Sequence, residues 1–139
     1  MEAKMSHNST KPIITVIIKG PYDNVILTRT TDPLNTFTFW KFPERDGIDG
    51  MSYRETAFKI VTEEIGIFIP PGNLSYLGDR KSTDKAYLFF EAFVRNFEGL
   101  KEDKELWEIM KITSREIPDM KDIYPFHAKT FKEFGLAHQ

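Results

Sequence analysis

The sequence predicts an α/β fold in which one mixed β-sheet is covered by helices on its faces. Strand-like segments flank one well-marked helix, and a second helical segment closes the chain. The 139 residues, of which 40% are hydrophobic, suffice for one domain with a buried core. We assign residues 12–139 to this domain. Residues 1–11 are polar and charged, and we expect them to form a disordered lead-in.

Six segments have the composition of strands. Residues 13–18 are β-branched and continuously apolar, as in a strand that is buried on both faces. The later segments carry aromatic or β-branched residues and are bounded by turns. The predicted strands cover residues 13–18, 25–29, 36–42, 74–78, 86–94 and 107–113. Residues 43–50, which contain Pro, two Gly and four charges, are predicted to be a loop.

The best-defined helix is predicted over residues 53–65. It begins with a capping box, in which the Ser52 hydroxyl can accept from the backbone amide three residues later and the Glu55 side chain can reach back to the start of the helix. It ends at Gly66, since glycine favours a helix C-terminus. Two further helical segments are predicted, one at residues 114–117 and one from Pro125 to just before Gly135.

Composition excludes several classes of protein. The chain has no cysteine, so disulfides, thiolate metal sites and cysteine nucleophiles are absent. A formal net charge of −2 argues against a partner that is polymeric nucleic acid, but not against one small anionic ligand. No apolar run approaches the ~20 residues of a membrane span, and the N-terminus lacks the apolar centre of a signal peptide. We therefore expect a cytoplasmic protein with no membrane partner.

One carboxylate of the predicted helix lies on its apolar face. At 100° per residue, Glu64 shares a face with Ala57 and Ile60. A carboxylate in such a position needs a partner, a metal or a raised pKa. The other interpretation is that Glu64, in the last turn, reaches solvent or pairs with a nearby lysine. Helix geometry leaves both interpretations open.

Residues 40–67 resemble a degenerate Nudix box, whose consensus is G-x5-E-x7-R-E-U-x-E-E-x-G-U, where U is aliphatic. Aligned on the last glycine of the box, the matching residues are Val61, Glu63, Glu64, Gly66 and Ile67. Four residues depart from it, since Arg45, Met51, Lys59 and Ile60 replace the first glycine, the first glutamate, the arginine and the glutamate after it. The order of elements over residues 12–136 is also similar to that of the family.

The resemblance implies a Nudix-like α/β/α sandwich. It also implies a divalent-metal-dependent hydrolase of a nucleoside diphosphate linked to another moiety. In the family, three helix carboxylates bind Mg²⁺ or Mn²⁺ around a pyrophosphate, and here their positions hold Ile60, Glu63 and Glu64. Glu63 and Glu64 are thus the expected catalytic and metal-binding residues, with the metal held weakly and with help from substrate phosphate. The alternative is a catalytically inactive Nudix module that binds a nucleotide or a protein partner.

The resemblance also assigns residues outside the helix. Arg29, Lys59 and Lys81 are the expected contacts to substrate phosphates, with exposed charges as the alternative. Glu44 and Glu105 are candidate acids that compensate for the missing carboxylate, unless they are solvated surface charges. His127 is interpreted as a packed or surface histidine. The candidates for stacking on a base, each of which could instead pack in the core, are Phe37, Phe39, Tyr76, Tyr87 and Phe89. The expected ligand is a small nucleotide derivative, and the sequence is compatible with a homodimer.

Overall fold

The computed structural model describes residues 11–30, 38–100 and 107–135. Six strands lie in this part of the chain: β1 (Ile13–Lys19), β2 (Asn24–Thr30), β3 (Glu44–Asp46), β4 (Leu74–Ser82), β5 (Lys85–Phe93) and β6 (Trp107–Thr113). The principal helical elements are α1 (Tyr53–Lys59), a π-helical turn (Ile60–Ile65), a 3₁₀ helix (Ser114–Asp119) and α2 (Pro125–Glu133). Within the described residues, every helix is too short or too polar to span a bilayer.

The strands form one mixed sheet in the order β4-β5-β1-β2-β6, and β3 also pairs with β1. The central pair, β1 and β5, is parallel, while the other named pairs are antiparallel. A parallel central pair requires a crossover that covers one face of the sheet, and α1 lies within that crossover. The predicted mixed sheet is therefore confirmed.

Residues 40–46, called here the insert segment, lie between β1 and β2. These two strands pair at Lys19, next to the turn that joins them, and diverge beyond it. In the opened space Thr28 of β2 exchanges two backbone hydrogen bonds with Lys41, of 2.7 and 2.8 Å. On the other side, β3 pairs with the first residues of β1. The insert segment thus brings polar side chains beside the end of β2.

Apolar side chains form two cores, one on each face of the sheet. The first lies under α1 and the π-helical turn, and the second lies under α2. Buried members of the first core include Ile14, Val16, Ile60 and Val61. Those of the second include Ile17, Phe42, Phe89 and Phe131. Helices on both faces of one sheet make the α/β/α sandwich that the sequence predicts.

The helix after the insert segment begins as predicted. The Ser52 hydroxyl accepts from the amide of Glu55, and the Glu55 carboxylate accepts from the amide of Ser52, both at 3.0 Å. After Lys59 the backbone widens, because the amide of Gly66 bonds to the carbonyl of Val61 at 2.9 Å, five residues back. Gly66 has a φ of +94°, which a glycine adopts easily, and it ends the helix.

The other predicted elements are present, with two corrections. Trp40 and Lys41 form isolated bridges, so the strand predicted over residues 36–42 is wrong from residue 38 onwards, and residues 36–37 lie outside the described part. The loop predicted at residues 43–50 is wrong at Glu44–Asp46, which form β3. Both corrections arise because this segment pairs with strands distant in sequence. The lead-in predicted at residues 1–11 also lies outside the described part, apart from Lys11.

Candidate ligand-binding site

Consecutive residues of β3 contribute to two ionic clusters on opposite faces of the sheet. Neighbouring side chains of a strand point to opposite faces. Arg45 points to the α1 face and contacts Glu64, whereas Glu44 points to the α2 face and contacts His127. We call the first group the helix-end cluster (Arg45, Lys59, Glu63 and Glu64) and the second the cavity cluster (Lys41, Glu44 and His127).

In the helix-end cluster each carboxylate has a cationic partner. Arg45 Nη1 donates to Glu64 Oε2 at 2.7 Å, and Lys59 Nζ donates to Glu63 Oε1 at 2.5 Å. The Glu64 side chain is 28% exposed and that of Glu63 is 62% exposed. Glu64 therefore has the cationic partner that its position on the helix requires, and this partner is an arginine from β3.

Ile60, at the position of the missing carboxylate, belongs to the hydrophobic core. Its side chain is fully buried and packs with Ile14, Val16 and Val61. It is the first residue of the π-helical turn, so the spacing to Glu64 is not that of a regular α-helix. Ile60 is thus directed into the core, while Glu64 reaches the surface.

The residues present do not fit the three-carboxylate metal centre that the resemblance implies. Mg²⁺ and Mn²⁺ prefer oxygen ligands, usually including carboxylates that are free to coordinate. Here one of the three positions is a buried isoleucine, and Arg45 and Lys59 already neutralise the other two. Among the described residues, no group of three or more Asp, Glu or His side chains could hold a metal ion.

A cavity of about 470 Å³ opens on the other side of the insert segment. Its volume lies in the range of small-ligand sites, roughly 300–1,000 Å³. It lies at the end of β2, where β1 and β2 have diverged. The cavity is lined by Thr28, Arg29, Thr30, Thr38, Phe39, Lys41, Phe42, Glu44 and Tyr124. This lining includes neither Glu63 nor Glu64.

Two cations of the cavity lie against aromatic rings. The Arg29 guanidinium is 4.5 Å from the centroid of the Trp40 ring, and Lys41 Nζ is 4.9 Å from that of Tyr124. Cation–π contacts of this kind restrict long side chains that otherwise move freely. The cavity therefore places two cationic side chains beside aromatic surface, a combination suited to an anion attached to a ring.

Glu44 is held on the cavity wall by a buried histidine. The amide of Phe42 donates to His127 Nδ1 at 3.0 Å, so the ring carries its proton on Nε2. Nε2 then donates to Glu44 Oε1 at 3.0 Å, and the Thr15 hydroxyl donates to the same oxygen at 3.1 Å. Lys41 Nζ lies 3.7 Å from the other oxygen, Oε2.

These contacts keep Glu44 ionised. Burial alone raises the pKa of this carboxyl group. The hydrogen bond and electrostatic attraction of His127, the charge of Lys41 and the hydrogen bond from Thr15 together outweigh burial, and the pKa lies below its usual value of 4.5. A negative charge at Glu44 is therefore a fixed property of the cavity wall near neutral pH.

The structure separates the residues that the sequence groups as one site. Arg29 lines the cavity, while Lys59 lies in the helix-end cluster and Lys81 is exposed on β4. Glu44, expected as a loop acid, contacts His127, and Glu105 lies outside the described residues.

The candidates for stacking on a base are also separated. Phe39 lines the cavity, Tyr87 and Phe89 are buried, Tyr76 is exposed, and Phe37 lies outside the described residues.

Sequence reasoning missed Lys41, Tyr124 and the partner of His127. His127 was expected to be packed or on the surface, and it is fully buried and bonded to Glu44. The two residues are 83 positions apart, so no local pattern could pair them. A histidine on the inner face of α2, between Phe126 and Phe131, was the one available signal of a buried polar contact.

Solved structures with the same architecture identify the fold. A MutT structure described for Aliivibrio salmonicida and Vibrio cholerae is 17% identical and covers 90% of this chain and 96% of its own, with a TM-score of 0.71. MutT from Methanosarcina mazei Go1 is 18% identical over 91% of this chain and 93% of its own, with a TM-score of 0.69. A Chromobacterium violaceum protein described as belonging to the Nudix hydrolase family is 19% identical over 91% and 77%, with a TM-score of 0.67. The chain has the Nudix fold.

The likeness lies in the structure, since no family model and no curated protein sequence matches this chain. The Nudix fold therefore stands on the order and pairing of its elements and on the helix that follows the insert segment. Three departures from the Nudix box bear on the expected metal ligands: Ile60 replaces one of them, and Arg45 and Lys59 pair with the two that remain.

Proposed function

We propose that this protein is a Nudix-fold module that binds a nucleotide or nucleotide derivative and does not cleave it. The observation that carries the proposal is the helix-end cluster. Arg45 and Lys59 neutralise the two retained carboxylates, and Ile60 is a core residue where the third would be. Pyrophosphate hydrolysis by metal-bound carboxylates would require Glu63 and Glu64 to exchange these partners for the metal ion, without a third carboxylate at position 60.

The cavity supports nucleotide binding. Arg29 and Lys41 offer donors for phosphate oxygens, and Phe39 and Tyr124 offer aromatic surface for a base. The hydroxyl groups of Thr28 and Thr38 supply further polar contacts at the rim. Since this lining does not include the helix-end carboxylates, a ligand in the cavity would bind without contacting Glu63 or Glu64.

Hydrolysis of a nucleoside diphosphate linked to another moiety, with Mg²⁺ or Mn²⁺ held weakly by Glu63 and Glu64, is the second candidate. It is favoured by two observations: both carboxylates are retained at one end of the helix, and the similar solved structures are described as MutT and Nudix hydrolase proteins. It requires that substrate or metal displaces Arg45 and Lys59. The cytoplasmic location and a homodimer also stay predictions of the sequence.

The test combines binding and turnover on the same ligands. Nucleotide sugars, dinucleotides, and nucleoside mono-, di- and triphosphates are titrated calorimetrically and then incubated with Mg²⁺ or Mn²⁺. We expect binding that Arg29→Gln weakens, without turnover. Metal-dependent turnover that Glu64→Gln abolishes would establish the hydrolase instead. Failure of every nucleotide to bind would remove the proposal.

A further inference from the structure

Each cation of the cavity already has an acidic partner. Arg29 Nη2 lies 2.6 Å from Oε1 of Glu108, its cross-strand neighbour on β6. Lys41 Nζ lies 3.7 Å from Glu44 Oε2. These four side chains together carry no net formal charge. A polyphosphate, which has three or four negative charges, meets no matching excess of positive charge here.

The two acids differ in how easily they can move away. Glu108 is exposed on an edge strand, so its pairing with Arg29 is readily exchanged for solvent. Glu44 has a side chain that is only 16% exposed, and Oε1 accepts from both His127 and Thr15. Rotating Glu44 out of the cavity would leave the buried Nε2–H of His127 without its acceptor. Glu44 therefore stays when a ligand enters.

The aromatic surface accepts one face of a base. The ring centroids of Phe39 and Tyr124 are 5.9 Å apart, and the rings are tilted by 41°. Inserting a base between two rings needs two stacking gaps of ~3.5 Å each, or about 7 Å in all. The pair is too close for this, so a base would lie against the wall that the two rings form.

We propose that Glu44 makes this cavity selective for nucleosides that carry no more than one phosphate, and against di- and triphosphates. One phosphate can accept hydrogen bonds from Arg29 once the exposed Glu108 side chain has moved away into solvent. A second or third phosphate would approach the fixed carboxylate of Glu44. Glu44 Oε2, which Lys41 approaches only to 3.7 Å, also offers an acceptor for an N–H group of the ligand, and a phosphate has no such group to donate. This inference rests on the proposed nucleotide-binding function.

The test is the affinity of the whole protein for adenosine, AMP, ADP and ATP, measured calorimetrically in chelator, with the guanine series in parallel. We expect AMP to bind more tightly than ADP and ATP. In Glu44→Gln, which keeps the size of the side chain, ATP binding should improve ~10-fold relative to AMP, the order expected for one charge removed at close range. The control is Glu116→Gln, which removes the same charge from an exposed residue outside the cavity and should change nothing.

The outcomes separate the two proposals. Wild-type affinity that rises with each phosphate would overturn the selectivity and leave nucleotide binding standing. An unchanged AMP-to-ATP ratio in Glu44→Gln would overturn the role of Glu44. If no member of either series binds, the proposed function fails, and this inference fails with it. Should Glu44→Gln not fold, the wild-type phosphate series still decides the selectivity.

Discussion

The two ionic clusters begin at adjacent residues of one short strand, yet they differ in how firmly they are held. In the helix-end cluster, Arg45 and Lys59 reach their carboxylates at the surface, where solvent competes for both partners. In the cavity cluster, Glu44 is held by a fully buried histidine whose ring is itself held by a backbone amide. The first cluster lies where the resemblance to the Nudix box places a metal centre, and the second lies on the wall of the cavity that we propose as a nucleotide site.

Under the proposed function, this α/β/α sandwich has lost one site and kept another. The alternation of β3 sends Arg45 to one face and Glu44 to the other, so these two adjacent residues contribute to different clusters. Changes at the helix end need not alter the cavity, which has its own support from α2. The following predictions test this independence, from the largest expected effect to the smallest.

The largest effect is expected for Ile60→Glu. The variant loses the burial of an isoleucine side chain, worth roughly 1.5–3 kcal/mol, and it places a carboxylate in the first core at further cost. Urea unfolding should show a loss of at least about 3 kcal/mol. Ile60→Val, the matched control, should cost about 0.5–1.5 kcal/mol. A loss of less than 1 kcal/mol for the glutamate variant would place position 60 at the surface.

The next largest effect on stability is expected for His127→Ala. It leaves the buried amide of Phe42 without an acceptor and removes one donor from Glu44, so we expect a loss of about 3 kcal/mol in the free energy of unfolding. Lys129→Ala, an exposed change on the same helix, should stay within about 0.5 kcal/mol. Equal losses in the two variants would mean that the Glu44–His127 contact contributes little.

The pH dependence of stability should separate Glu44 from other carboxylates. The folded-state pKa of Glu44 is lowered, so its charge stabilises the fold above pH 4.5, and that contribution is lost as the pH falls through the lower folded value. The advantage of wild type over Glu44→Gln in the free energy of unfolding should therefore shrink below pH 4.5. An advantage that stays constant through the acid range would contradict the lowered pKa.

The smallest effects are expected in the helix-end cluster. A double-mutant cycle on Arg45 and Glu64 should give a coupling of at most about 1 kcal/mol, because both groups are partly exposed. The cycle on Lys59 and Glu63, which are four residues apart, should give about 0.3–0.5 kcal/mol. A coupling of several kcal/mol in either pair would mean that this cluster is buried as firmly as the cavity cluster.

Local patterns in the sequence predict most of the fold. The capping box at Ser52, the stop at Gly66 and the start of α2 at Pro125 depend on residues that are near neighbours, and all three are present. The pairing of the insert segment with β1 and β2 depends on residues distant in sequence, and its position was not predictable.

The candidate site divides in the same way. Glu64 was found from the periodicity of one helix, and Glu63 from the resemblance of the same short segment to the Nudix box. The partner of Glu64 is 19 residues away, and that of His127 is 83 residues away, so both required the folded chain. Sequence reasoning thus located the groups that carry charge and could not assign their partners, which decide what those groups do.

The most direct test of the central claim is a titration of the wild-type protein with Mn²⁺, followed by the electron paramagnetic resonance signal of the free ion. If Arg45 and Lys59 neutralise the helix-end carboxylates and Ile60 is a core residue, wild type should show no sub-millimolar Mn²⁺ site, and its titration should match that of Glu64→Gln. A sub-millimolar site in wild type that Glu64→Gln abolishes would contradict the account, because those carboxylates would then be free to hold a metal.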